Sequence, residues 1–192
     1  SYLVIGIIIF FGLLEAISGA LAHSKRDKDD WIQEILSFVI LSVIIKPGIV
    51  LAVLQLGFWF IPETAGWMLG WTMWATVPVY LLIDDILQYW YHRSAHEINW
   101  LWKLHRTHHQ AEEMGFFVAY RNAALYYLIM PNIWWIGLFT FLGGGKAMAL
   151  GIVLKQLVII GSHSTTKWDQ FFYQRPSLTP VIRFIERIIV TP

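Results

Sequence analysis

The sequence predicts an all-α integral membrane protein: about four to five transmembrane helices carrying a histidine-rich helical cap on the cytoplasmic face. Three observations predict it. Of 192 residues, 57% are hydrophobic and only 14% charged, with a mean hydropathy of +0.54. Soluble domains carry roughly a quarter charged residues, so a bilayer is the natural solvent for this apolar excess. Apolar runs close to the ~20 residues that cross a bilayer recur along the chain. Five of the seven histidines fall within residues 92–109.

Each run follows from local composition. Tyr2–Ala22 lacks a basic leader and a cleavage site, so it reads as a spanning helix and not as a signal peptide. The charged loop His23–Asp30 follows, and His23 there is expected to be solvated. Trp31–Ile61 is the second run, interrupted by Lys46-Pro47-Gly48; proline removes a backbone donor and is expected to kink or split the helix. After the turn Pro62-Glu63-Thr64, Gly66–Trp90 is the third run, continuing without a breaker into the histidine stretch. Met114–Phe141, with a kink expected at Pro131, is the fourth. Gly143-Gly144-Gly145 marks a loop, and Ala147–Gly161 is a shorter fifth run ending at His163. Residues 164–192 alternate charged and apolar side chains in the manner of an amphipathic helix. Residues 1–192 read as one membrane-embedded domain, expected to be part of a longer protein because the chain starts at Ser1 and stops abruptly at Pro192.

Counting spans places the 23–30 loop, the 92–113 stretch and His163 on one side of the membrane. That side carries Lys25, Arg26, Lys28, Arg93, Lys103, Arg106 and Lys167, against Lys146 alone on the other. Basic residues favour the cytoplasmic face, which is where the histidines are expected. The 11 tryptophans, Trp90, Trp100 and Trp102 among them, suit interfacial belts. A net charge of +1 offers no argument for nucleic acid as a partner, and the absence of cysteine leaves His, Asp and Glu as the available metal ligands.

The histidines carry the chemistry. His92 and His96 form H-x-x-x-H, one helical turn apart on one face. His105, His108 and His109 form H-x-x-H-H and also share a face if helical. Imidazole suits iron, zinc, copper and nickel, and five ligands from two segments exceed what one four-coordinate zinc needs, so a second ion is the economical reading. Asp85 lies on the stripe of Tyr89, His92 and His96, where it is placed either to orient a ligand imidazole or to serve as a ligand. Its neighbour Asp84 is expected to be a solvated helix-end charge. Glu15 and Lys155 sit inside apolar runs and are expected to pair with polar groups of neighbouring helices, and Arg121 is expected to snorkel towards headgroups.

The string DDILQYWYHRSAHEINWLWKLHRTHH resembles the first two histidine boxes of the fatty acid hydroxylase/sterol desaturase superfamily. Ala119-Tyr120-Arg121 resembles a family arginine position, and His163, in GSHST, the isolated histidine before the family's last box. Val190-Thr191-Pro192 is similar to the lead-in to that box, a further H-x-x-H-H expected after Pro192. The resemblance implies a non-haem centre of two Fe ions (zinc being able to take their place in a purified sample) with His92, His96, His105, His108, His109 and His163 among its ligands. It implies O2 as co-substrate, an external reductase or electron-transfer protein, and hydroxylation or desaturation of a lipid or sterol drawn from the bilayer. The implied membrane is the bacterial inner membrane or the endoplasmic reticulum. The alternative class is a membrane metal transporter or metal-binding protein without oxidase activity, which needs polar ligands at the bilayer midplane and not beyond helix ends.

Overall fold

The computed structural model describes residues 2–22 and 25–187. Among these there is no strand, so the all-α expectation holds. His23 and the segment 190–192 lie outside the described residues. Three helical stretches are long and apolar enough to cross a membrane, Lys28–Phe60, Ala124–Phe141 and Gly145–His163, with Leu3–Ile17 as a shorter apolar helix. The third expected run is not among these spans.

The described residues form two compact units. One is drawn from Ser1–Trp31, Ala111–Ala119 and Val153–Pro192, the other from Ile32–Gln110 and Tyr120–Ile152.

In the second unit, Pro47 does not split the second run. Helix α2 (Lys28–Val39) passes through a π-helical stretch, Ile40–Ile45, directly into α3 (Lys46–Phe60). Proline has no N–H, and its ring crowds the carbonyl four residues back. The wider π turn just before it relieves both problems while the chain stays helical. Helix α3 packs on α7 (Pro131–Phe141) by close backbone approach. A Cβ on Gly137 would lie 2.8 Å from the Val53 Cβ, and one on Gly57 would meet the Phe141 ring at 2.8 Å. Leu51, Phe58, Trp59 and Phe60 face outward from the same helix. An exposed apolar surface of that size is what lipid covers.

Helix α6 (Ala124–Leu128) and α7 replace the expected single run from Met114. Residues 111–123 are mostly non-helical, with one 3-10 turn at Val118–Tyr120. The glycine triplet makes the expected loop, Gly143 taking φ of 92°, which side-chain-bearing residues rarely adopt. The preceding turn seals the end of α7: the Gly66 N–H donates to the Phe141 carbonyl (3.0 Å) and the Met68 N–H to that of Leu142 (2.7 Å). Tyr80, Phe139, Met68 and Ala147 form the buried core beneath it.

Helix α4 (Met73–Glu97) ends at Ile98, and α5 (Asn99–His109) starts one residue later. Ile98 alone is extended, with φ −102° and ψ 115°. Its N–H closes α4 on the Ser94 carbonyl (2.9 Å), while its carbonyl accepts from Trp102 to open α5 (2.8 Å). One extended residue thus turns the chain between two helices, each bearing histidines one turn apart.

In the first unit, α1 (Tyr2–Ile17) ends earlier than the apolar run suggests, giving way to turns over 18–22. The end of α8 (Gly145–His163) leads into a tail that forms two short helices, α9 (Trp168–Tyr173) and α10 (Thr179–Ile185), in place of one long amphipathic helix. The interruption is Gln174–Leu178, where Pro176 removes a donor.

Candidate metal centre

Helical periodicity puts His92 and His96 on one face of α4, and His105 and His109 on one face of α5. The turn at Ile98 brings the two faces together. One ring nitrogen from each of the four lies within 4.8 Å of the others. The Nε2 atoms of His92 and His96 are 3.4 Å apart; those of His105 and His109 are 3.1 Å apart. Ligand nitrogens at about 2.0–2.1 Å from a shared ion sit roughly 3.0–3.4 Å apart along a coordination edge. The two pairs match that spacing. The widest separation exceeds the roughly 4.2 Å that two nitrogens opposite each other on one ion reach, so the four fit a site shared by more than one ion or one that tightens slightly on binding.

The tautomer of His105 is fixed from behind. Its Nδ1–H donates to the Asn122 side-chain oxygen at 2.9 Å, deep in the protein. An amide oxygen only accepts, so this nitrogen carries the proton and Nε2 turns its lone pair to the other imidazoles. Nε2 then accepts from His109 Nε2–H, a proton that a metal would displace. The Tyr126 ring stacks on the other side of His105, centroids 4.8 Å apart and 17° from parallel. The Tyr91 hydroxyl in turn donates to the Tyr126 carbonyl at 2.8 Å.

Burial, together with the neighbouring His92, His109 and His96, pushes the His105 pKa down to about 4, against the pull of the Asn122 hydrogen bond. Burial, and the nearby His96, lowers that of His109 as well. Both shifts favour neutral imidazole, the form that ligates metal.

The remaining expected residues are distributed as follows. His108 stacks on His105, centroids 5.3 Å apart, but is not one of the four whose nitrogens converge. His163 ends α8 in the other unit, where its Nδ1–H donates to the Ile159 carbonyl at 2.8 Å and leaves Nε2 free of the proton. Asp85 is exposed on α4. Asp84, expected to be solvated, is instead 2% exposed. Its backbone carbonyl accepts from Asn132 of α7 at 2.6 Å, so this is the face that α4 turns inward. Arg121 does not snorkel: it is 7% exposed, its guanidinium 4.0 Å from the buried Glu34 carboxylate. The buried charge has found an opposite one, as burial requires. Trp90 and Trp100 are exposed in the manner of a belt. Trp102 is not: its ring lies 5.3 Å from that of His96 and 5.5 Å from that of His109, flooring the cluster.

Sequence reasoning missed Asn122, Tyr126 and Tyr91. The one signal that pointed to this neighbourhood was the Ala119-Tyr120-Arg121 string immediately before Asn122.

A family model described as fatty acid hydroxylase matches residues 77–184, which include both boxes and His163. Alkylglycerol monooxygenase of Xenopus tropicalis is 40% identical over 57 residues, 30% of this chain and 12% of that protein. Its Homo sapiens counterpart is 44% identical over 41 residues, 21% of the chain and 9% of that protein. Very-long-chain aldehyde decarbonylase GL1-10 of Oryza sativa subsp. japonica is 33% identical over 97 residues, 47% of the chain and 30% of that protein. The matched stretches thus cover a minor part of each relative's length. No solved structure matches the chain.

Proposed function

Because the chain belongs to the fatty acid hydroxylase family, a family of membrane lipid oxidases, we propose that it takes part in inserting oxygen into a lipid C–H bond with two iron ions held by its histidines. The observation that carries this reading is the convergence of four imidazole nitrogens within 4.8 Å at the α4–α5 corner. Their chemistry fits: neutral nitrogen donors, no thiolate, and a buried member whose proton is kept on the far side of the ring.

His92, His96, His105 and His109 hold the metal, with His108 and His163 as further ligands. When bound, the iron pair supplies reductive activation of O2 for attack on an unactivated C–H bond. The overall balance is one lipid C–H, one O2, two electrons and two protons, giving the alcohol and one water. The two electrons come from a separate reductase or electron-transfer protein. Asn122 holds the His105 proton at Nδ1 throughout, so that Nε2 never needs to release one. Tyr126, stacked on His105, helps keep that ring out of water, and its burial favours the neutral form. Asp85, on the same helix as the first box, orients the site from its solvent side. The lipid would enter from the bilayer, and the basic residues beside the boxes support a cytoplasmic face for the site. The alkylglycerol monooxygenase and aldehyde decarbonylase matches support ether lipids and long-chain aldehydes as the first substrates to try.

The test is lipid oxidation by the purified full-length protein with O2 and a reductant, followed by mass spectrometry of the products. Oxygenated product that requires both O2 and reductant, and disappears in His105→Ala, is the expected result. Metal binding and transport into vesicles with no lipid product would contradict it.

A further inference from the structure

The first unit buries a carboxylate that the proposed mechanism does not use. Glu15, in the last turn of α1, is 1% exposed. One of its oxygens, Oε1, accepts three hydrogen bonds: from the Phe116 N–H at 3.0 Å, the Ser164 hydroxyl at 3.0 Å and the Thr165 N–H at 3.1 Å. A carboxylate in such surroundings is costly unless its lone pairs are met, and two backbone N–H groups and a buried hydroxyl meet them here.

What those donors have in common is position. Ser164 and Thr165 are the two residues directly after His163, where α8 stops and its backbone would otherwise fray. Phe116 belongs to the segment that follows the second histidine box in sequence. Packing reinforces the clamp on the same face of α1. A Cβ on Gly12 would lie 3.2 Å from the Phe116 ring, and one on Gly161 3.3 Å from the Phe11 ring, so both glycines allow the close approach. Phe11 and Glu15 are one turn apart, and together they grip the end of α8 at Gly161 and Ser164. His163 stands between these two fixed points, its ring tethered to the Ile159 carbonyl. Ser164 also keeps the helix wound, its N–H donating to the Ile160 carbonyl at 3.0 Å.

We propose that Glu15 is the positioning residue for His163: by tying the Ser164–Thr165 turn to α1 and to the 116 backbone, it holds the His163 ring in the one orientation that offers Nε2 as a ligand. This rests on the reading of His163 as a metal ligand. Glu15 touches neither metal nor substrate; it acts through the backbone next to His163.

The experiment compares Glu15→Ala, Glu15→Gln, His163→Ala and the Glu15→Ala/His163→Ala double variant in the detergent-purified full-length protein. Iron per chain is measured by mass spectrometry, and metal affinity by competition with a chelator. Glu15→Ala is expected to weaken the site that His163 serves by about 10–100-fold. The double variant should be no worse than His163→Ala alone, because both changes remove the same contribution. Glu15→Gln keeps an accepting oxygen and should retain the metal. If Glu15→Ala does not fold, Ser164→Ala removes a single donor and should give a smaller loss of affinity in the same site. Tyr173→Phe, which breaks the Tyr173–Glu186 hydrogen bond of the same unit, should give none. Loss in His163→Ala with full affinity in folded Glu15→Ala and Ser164→Ala would overturn the proposal while leaving the ligand reading intact. Full affinity in His163→Ala would overturn both.

Discussion

The seam between α3 and α7 and the corner between α4 and α5 solve the same problem, holding two helices together, with opposite materials. At the seam, glycine on each helix lets the partner in: Val53 sits against Gly137, and the Phe141 ring against Gly57. Phe58 adds an edge-to-face contact with Phe141, centroids 5.2 Å apart. No charge is involved. In lipid, where tails are as apolar as leucine, such close fitting is what keeps helices associated. At the corner, four imidazoles crowd together with Trp102 and Tyr126 around them. Protonated, they repel; neutral, they leave several lone pairs pointing at one another. The seam is complete in itself. The corner gathers donors that a bound metal ion would satisfy.

That contrast can be broken at several points, with effects of decreasing size. The largest is His105→Ala, which removes the buried member of the corner. Iron at the corner and lipid oxidation should fall below detection, while the seam keeps the protein folded by circular dichroism. Full metal content in that variant would erase the distinction between the two regions.

Next is Asn122→Ala, which frees the His105 proton to move between its ring nitrogens. Metal affinity should drop by about 10–100-fold, measured by chelator competition. Asn122→Asp, which still accepts from Nδ1, should recover most of it.

The corner also predicts a pH dependence that the seam lacks. Folded His105 is held down at about 4 by burial, whereas an unfolded histidine titrates near 6.5. Between those values the unfolded chain binds a proton that the folded one refuses. The stability due to neutral His105 is therefore complete above about 6.5 and is lost as pH falls towards 4. Denaturation midpoints of metal-free protein should fall across that window, and His105→Asn should flatten the curve.

The smallest expected effect is at the seam. Gly137→Ala places a methyl 2.8 Å from Val53, and such overpacking costs about 1–3 kcal/mol. Thermal unfolding should shift down while metal affinity at low temperature stays unchanged. The double variant Gly137→Ala/Val53→Ala should recover part of the loss.

Much of this was legible in the sequence, for reasons that particular residues make plain. Apolar runs announce helices because backbone groups in lipid have no other partner. The i, i+4 histidine pairs announce their shared helix faces, because that spacing is a property of one helix alone. The turn at Ile98 that brings the two faces together, by contrast, interrupts a stretch that reads as unbroken. What was not legible depended on other helices. Asp84 and Asp85 are adjacent, and it is the packing of α4, whose Asp84 carbonyl meets Asn132 of α7, that turns one inward and leaves the other exposed. Arg121 reads as a snorkelling charge until Glu34, 87 positions earlier in sequence, is found beside it. Asn122 has no spacing relation to the boxes; it reaches His105 because residues 111–123 form an irregular segment where an apolar run suggested helix. Pro47 reads as a break, yet a π stretch absorbs it without interrupting the helix. Trp102 reads as one of a belt, but its phase on α5 sets its ring against those of His96 and His109.

The proposed lipid chemistry stands or falls with redox-active iron held by the imidazoles of the α4–α5 corner. The most direct measurement is Mössbauer spectroscopy of iron-loaded, purified protein alongside the His92→Ala/His96→Ala/His105→Ala/His109→Ala variant. A spin-coupled pair of nitrogen-ligated irons is expected in the wild-type chain, and its complete loss in the variant. An identical iron spectrum in both proteins would contradict it.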